Sequence, residues 1–532
     1  MMMDMKSENR SPKSETNPNT EAGNPKPVRA AANCETEPLL ASSITPTRLL
    51  RWFVSAFEFR ISELFRISGF GRRLQKSGTA AKKRRRHEKR PYFHSSWVFC
   101  ASLRQVLQLA LGLRILLASF SLALFLHWPA SAENWPCWRG PRLDGTSSEK
   151  TVPLYWSPTS NIVWKAELPG LGHASPIVWG DRVFTVSALL DTQERVLLCL
   201  DRQTGKLLWQ KTVLTAPLER KHTLNSFASS TPATDGELVY VAFLDGDQMF
   251  AAAYDFTGKQ RWGARPGPFT SMHGFCSSPI LYQDKVILNG DHDGDSYLVA
   301  LSRADGRVIW KTLRENHTRS YCTPLIRDIG GRPQMVLSGD KCVASFDPGS
   351  GRRLWVIDGP TEQFVASPVY SERCGLVIIT GGFPDHHILG IRPDGAGNVT
   401  QTHIAWRTTR GAAYVPSPII EGDYFLVISD EGVAHCFAAA TGKLHWTERL
   451  GQEHASLVSA EGRIYCLNDK GMMNVVQACP EFVRLAQNDI GEKCFASPAI
   501  SQGQLFLRGE RHVFCIGEGG TGNHERHETH ER

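Results

Sequence analysis

The sequence is poor in the signals that announce an enzyme. It has no Gly-x-Ser-x-Gly elbow, no P-loop and no protein-kinase motif set, so the common hydrolase, NTPase and kinase layouts lack their working parts. Its 13 cysteines include no adjacent pair and no Cys-x-x-Cys spacing, which excludes zinc ribbons and haem attachment of the Cys-x-x-Cys-His type. No apolar run reaches the ~20 residues of a membrane-spanning helix. Nor is there a broad excess of charge. Lys and Arg number 60 against 53 Asp and Glu, but residues 1–132 hold 21 against 9, leaving 39 against 44 for residues 133–532. The basic character belongs to the first quarter alone. A mildly acidic remainder argues against a nucleic-acid partner.

Residues 1–103 are rich in Ser, Pro, Asn and charge, ending in the basic run Lys82–Arg90 and a short apolar stretch. They read as a disordered extension. No Met lies between Met5 and Met249, so a true start nearer Val98–Val106 is also open. Residues 104–132 read as a signal peptide: Arg104 and Arg114, the apolar run Ile115–Leu126, then Pro129-Ala130-Ser131-Ala132. Export to the periplasm or cell envelope is expected, with no other membrane association. Residues 518–532, rich in His and Glu, read as a disordered tail.

What the sequence does contain is a repeated phrase. Asp201-Arg202-Gln203-Thr204-Gly205-Lys206 precedes Trp209, Asp255-Phe256-Thr257-Gly258-Lys259 precedes Trp262, and Ala440-Thr441-Gly442-Lys443 precedes Trp446. Variants precede Trp310 and Trp355. A second motif opens each unit: Ser175-Pro176, Thr231-Pro232, Ser278-Pro279, Thr323-Pro324, Ser367-Pro368, Ser417-Pro418, Ser456-Leu457 and Ser497-Pro498. Units of this length, holding four short turn-bounded strands, predict propeller blades. The last unit has three strands, and an orphan strand at 162–168 carries Trp164 in the fourth-strand pattern. Pairing the two closes the ring and removes an open edge. The spacing therefore predicts an all-β, eight-bladed propeller over 161–517, with residues 133–160 as a lead-in segment packed on it. The seventh unit is degenerate: its fourth strand, placed at Glu481–Gln487, has no Trp. Trp164, Trp209, Trp262, Trp310, Trp355, Trp406 and Trp446 are expected to dock neighbouring blades.

The phrase Asp-x-x-Thr-Gly-x-x-x-Trp, with turns such as Ser338-Gly339-Asp340-Lys341 and Ser429-Asp430-Glu431-Gly432, resembles the PQQ-like β-propeller repeat. That superfamily includes quinoprotein alcohol dehydrogenases and BamB-type outer-membrane assembly proteins. The lead-in Asn134-Trp135-Pro136-Cys137-Trp138-Arg139-Gly140-Pro141, with Gly172-His173-Ala174-Ser175-Pro176, is similar to exported propellers of planctomycete-type bacteria. The resemblance implies the fold strongly. It leaves function open, because one fold carries enzymes and scaffolds alike.

Residues just before each Ser-Pro should ring the channel mouth: His173, Phe275, Cys276, Tyr321, Phe364, Tyr414, Glu453, His454 and Phe495. They form either a ligand pocket or part of a packed plug. His173 and His454 with Glu453 are a weak metal candidate. Cys276 and Cys322 are a disulfide candidate. Cys199, Cys342, Cys436 and Cys515 read as small buried filler in matching strand positions. Asp291-His292-Asp293-Gly294-Asp295 has its Gly too early for an EF-hand loop and reads as a solvated turn. The resemblance would bring a quinone, Ca2+, a catalytic Asp and adjacent cysteines. Without such cysteines, and with no residue matching the catalytic Asp, no cofactor and no catalytic residue are expected. The expected role is a monomeric, non-catalytic scaffold binding a protein or envelope component. Two alternatives stay open: a PQQ- or metal-dependent oxidoreductase, and a glycan- or peptide-binding propeller.

Overall fold

The computed structural model describes residues 133–521. The basic extension, the signal-peptide segment and residues 522–532 lie outside the described residues, while residues 518–521, expected to begin the disordered tail, continue the strand His512–Thr521. Among the described residues there is no helix; they form eight antiparallel blades, each built around four strands. Blade 1 comprises Ile177–Trp179, Arg182–Leu189, Glu194–Asp201 and Leu207–Thr215, and the pattern repeats through blade 7, which ends on Arg484–Asp489. That last strand lies slightly later than the sequence pattern placed it. Blade 8 takes Ala499–Ser501, Gln504–Arg508 and His512–Thr521 from the C-terminal end, and Ser160–Glu167 pairs antiparallel with His512–Thr521 as its fourth strand. The orphan strand closes the ring.

Two repeated joints hold the blades. The inner one is made by the Ser/Thr of the opening motif. The Ser175 N–H donates to Thr231 Oγ1 at 2.9 Å, the Thr231 N–H to Ser278 Oγ at 3.0 Å, and so on through Thr323, Ser367, Ser417 and Ser456 to Ser497. Blades 1 to 7 thus each give an otherwise orphaned amide to the hydroxyl of the next blade.

The outer joint unites the two halves of the repeated phrase. Each Trp faces a small residue across its own strand pair: Cys199, Ala253, Ala300, Ser345, Gly390, Cys436 or Cys515. That leaves room for the indole to lean onto the following blade. There it meets the Gly of the Thr-Gly turn. A Cβ on Gly205, whose φ is +71°, would lie 2.5 Å from the Trp164 ring, and Gly306 stands likewise against Trp262. The Gly is required twice, for its positive φ and for the close approach. The indole N–H then caps a turn carbonyl of that blade: Trp164 on Arg202 at 2.7 Å, Trp209 on Phe256 at 2.9 Å, Trp406 on Ala439 at 3.0 Å. Trp355 differs. It donates to Gln334 Oε1, whose amide nitrogen donates to Pro393 O of blade 5.

Cys342 is not in the Trp-facing position; Ser345 is. Cys342 pairs with Asp358 near the start of its strand and is buried beside Arg314. The acidic turn is also not simply solvated. Asp291 is fully buried, 3.0 Å from Arg314, and His292 is buried with it.

Candidate functional site

The lead-in segment blocks one end of the central channel. Trp135 pairs through its backbone with Val178 of blade 1, and Pro136 O accepts from Thr234 of blade 2. Arg139, buried, donates to Pro418 O of blade 6 at 2.6 Å. Asp144 pairs with Arg327 of blade 4, Thr146–Ser147 add a parallel strand to the inner edge of blade 7, and Glu133 O accepts from Ser501 of blade 8. These contacts lie along the inner strands, away from the loops that precede Ser-Pro. The plug is therefore this segment, and it leaves the mouth at the other end open.

That mouth is a cavity of about 1190 Å3 floored by Trp138. The residue three before each opening Pro, or before Leu457 in blade 7, lines it in every blade: His173, Ser229, Cys276, Tyr321, Val365, Val415, His454 and Phe495. Tyr414 also lines it. Phe275, Phe364 and Glu453, one position earlier in their loops, are buried and do not line it. Sequence reasoning missed Trp138, His222, His273, Phe383, Asp430 and Asp469, which also line the wall. Asp430 sat in a turn quoted only as a repeat feature.

The two histidines at equivalent positions have diverged. His173 stacks on Phe495 with ring centroids 4.7 Å apart. Burial, with the neighbouring charges of Arg508 and Lys221, lowers its pKa to about 4, so it is neutral at pH 7. The His454 ring centroid lies 6.1 Å from that of Phe495. Its pKa is raised: burial, the largest effect, opposes this, but is outweighed by Asp469, which accepts from both ring and backbone nitrogens at 2.7 and 3.0 Å. Glu453 is fully buried, neither oxygen has a hydrogen-bond partner, and burial pushes its pKa well up. Asp430 accepts the N–H groups of Tyr414 and Val415, while burial raises its pKa.

These carboxylates do not assemble a calcium site, which needs about six to eight oxygens. Asp430 and Asp469 are held by protein donors, and among the described residues no group of three His, Cys, Asp or Glu converges to hold a metal. His173, His454 and Glu453 therefore do not form a metal set. Cys276 and Cys322 are both free thiols.

A family model described as outer membrane protein assembly factor BamB matches residues 192–377 and 343–479. No curated protein matches the chain. Among solved structures, a quinohemoprotein alcohol dehydrogenase from Comamonas testosteroni is similar at 12% identity, TM-score 0.52, covering 72% of this chain and 80% of that one. BamB from Moraxella catarrhalis is similar at 12% identity, TM-score 0.48, covering 67% and 99%. At such identities the likeness shows the fold alone.

Proposed function

This chain belongs to the PQQ-like β-propeller family described as outer membrane protein assembly factor BamB, and from that membership we propose that it is an exported, non-catalytic scaffold that takes a protein or envelope component into its mouth. One observation carries the reading. The channel is stoppered at one end by its own lead-in segment and opens at the other as a cavity whose wall includes three exposed apolar side chains, Leu224, Met272 and Phe383. Exposed apolar groups gathered at one concave place mark a binding surface. The eight loops around them differ in sequence, while the joints beneath repeat.

A photo-crosslinking residue at position 383, compared with one at the exposed outer-wall Leu313, tests this in envelope fractions of the source cell. A discrete adduct from position 383 alone supports it; equal labelling from both sinks it. The oxidoreductase alternative is tested with PQQ and Ca2+. A stoichiometric chromophore together with dye-linked alcohol oxidation would replace the scaffold reading with an enzyme.

A further inference from the structure

The chemistry of the mouth narrows what it accepts, an inference that rests on the binding reading above. Its charged groups are largely compensated within the protein. Asp469 is paired with His454, Asp430 holds two backbone amides, Arg319 lies 2.5 Å from Asp293, and Arg449 donates to Glu431 O at 2.9 Å. Glu431 and Lys470 are exposed to solvent. The solvated Glu431, Lys470 and Arg449 would attract an ionic ligand only weakly, so it would give up its hydration inside for little electrostatic gain.

What the cavity does offer is ring surface beside fixed polar groups. Phe383 is 53% exposed, and its ring centroid lies 6.5 Å from that of Tyr414, the two rings tilted by 49°; both line the cavity, as does Trp138. The Tyr414 hydroxyl is anchored on Gln363 at 3.1 Å, and its backbone N–H on Asp430 at 2.8 Å. Asp430 takes only backbone donors, and a carboxylate offers about four acceptor positions, so it keeps capacity for a ligand hydroxyl. Apolar ring faces flanked by rigid acceptors complement a pyranose, which has CH-rich faces and an equator of hydroxyls. A peptide would instead seek an unpaired strand edge. Apart from Arg449, the residues that line the mouth lie outside the strands.

We propose that Phe383, Tyr414, Gln363 and Asp430 form a subsite for a neutral oligosaccharide. Because the plug closes the far end, the glycan enters by a chain end and cannot thread through. The probes are tetrasaccharides of β-1,4-glucose, β-1,4-xylose and α-1,4-glucose, with tetragalacturonate as the charged comparison, read by calorimetry and tryptophan fluorescence. At least one neutral sugar should bind saturably and better than the charged one. Phe383→Ala should weaken it about tenfold with an unchanged melting temperature, and Asp430→Asn should weaken it as well. The matching soluble polymer should bind in proportion to its chain ends, which separates an oligosaccharide from an internal polysaccharide segment as the source. No saturable neutral sugar, indifference to Phe383→Ala, or preference for the charged sugar overturns the proposal. An adduct at position 383 without sugar binding removes this inference and leaves the scaffold reading standing.

Discussion

The seam between blades 1 and 2 and the seam between blades 7 and 8 solve one packing problem in two ways. At the first, Trp209 lies in its own outer strand and reaches the Phe256–Gly258 turn. At the second, the equivalent strand position is Ala486, facing Val475 where other blades place Cys, Ala, Ser or Gly. The missing indole is supplied from far away. Trp156 of the lead-in segment is buried in the same core cluster as Val475, Ala486 and Ile490. Its backbone N–H donates to Asn488 Oδ1 at 3.0 Å, and the Asn488 amide donates to Leu154 O. The replacement is incomplete, because the Trp156 indole N–H has no partner. A repeat can thus lose its signature residue if another segment carries equivalent bulk to the place.

The largest expected effect breaks the borrowed seam. Trp156→Ala should cost about 3 to 5 kcal/mol, and hydrogen exchange should rise first in blades 7 and 8. Uniform loosening of all eight blades would contradict the local role. Next comes a pair of glycines. Gly205→Ala places a methyl against Trp164 and strains a positive φ, for about 2 to 4 kcal/mol. Gly491→Ala, at φ +74° but with only Pro158 nearby at 3.6 Å, should cost about 1 kcal/mol. Equal losses in denaturant melts would mean that the indole contact does not matter.

Smaller still, Ser417→Ala leaves the buried Ser367 amide without its acceptor, for about 1 to 2 kcal/mol. The smallest effect is a pH dependence at the seam between blades 6 and 7. Burial raises the Glu453 pKa above its ordinary 4.5, so the folded protein keeps a proton that the unfolded chain releases. Its contribution is complete below 4.5 and is lost as pH rises through the folded value. Glu453→Gln should therefore raise the melting temperature near neutral pH and leave it unchanged in acid. The same gain at both pH values would refute this origin.

The ring was legible because its joints are local and periodic: Ser-Pro, Thr-Gly and Trp recur in step, and Trp164 marked the closing strand. The plug was not, because Arg139 finds Pro418 and Trp156 finds Asn488 across most of the chain, with no repeat to align them. Within the mouth, counting back from each Pro located the lining residues, but a one-residue slip changes sides. Phe275 and Phe364 look like neighbours of the cavity and are part of the body behind it. Asp291 misled for a related reason, since its partner Arg314 lies beyond the next hairpin.

The joints bind each blade only to the next, so a single failed seam could open the ring. The lead-in segment works differently. Anchored on blades 1, 2, 4, 6, 7 and 8 at once, it is a spoke set in the bore. The repeats supply the eight blades, and a stretch of chain outside the repeats ties non-neighbouring blades together, so parting one seam also means breaking contacts across the ring.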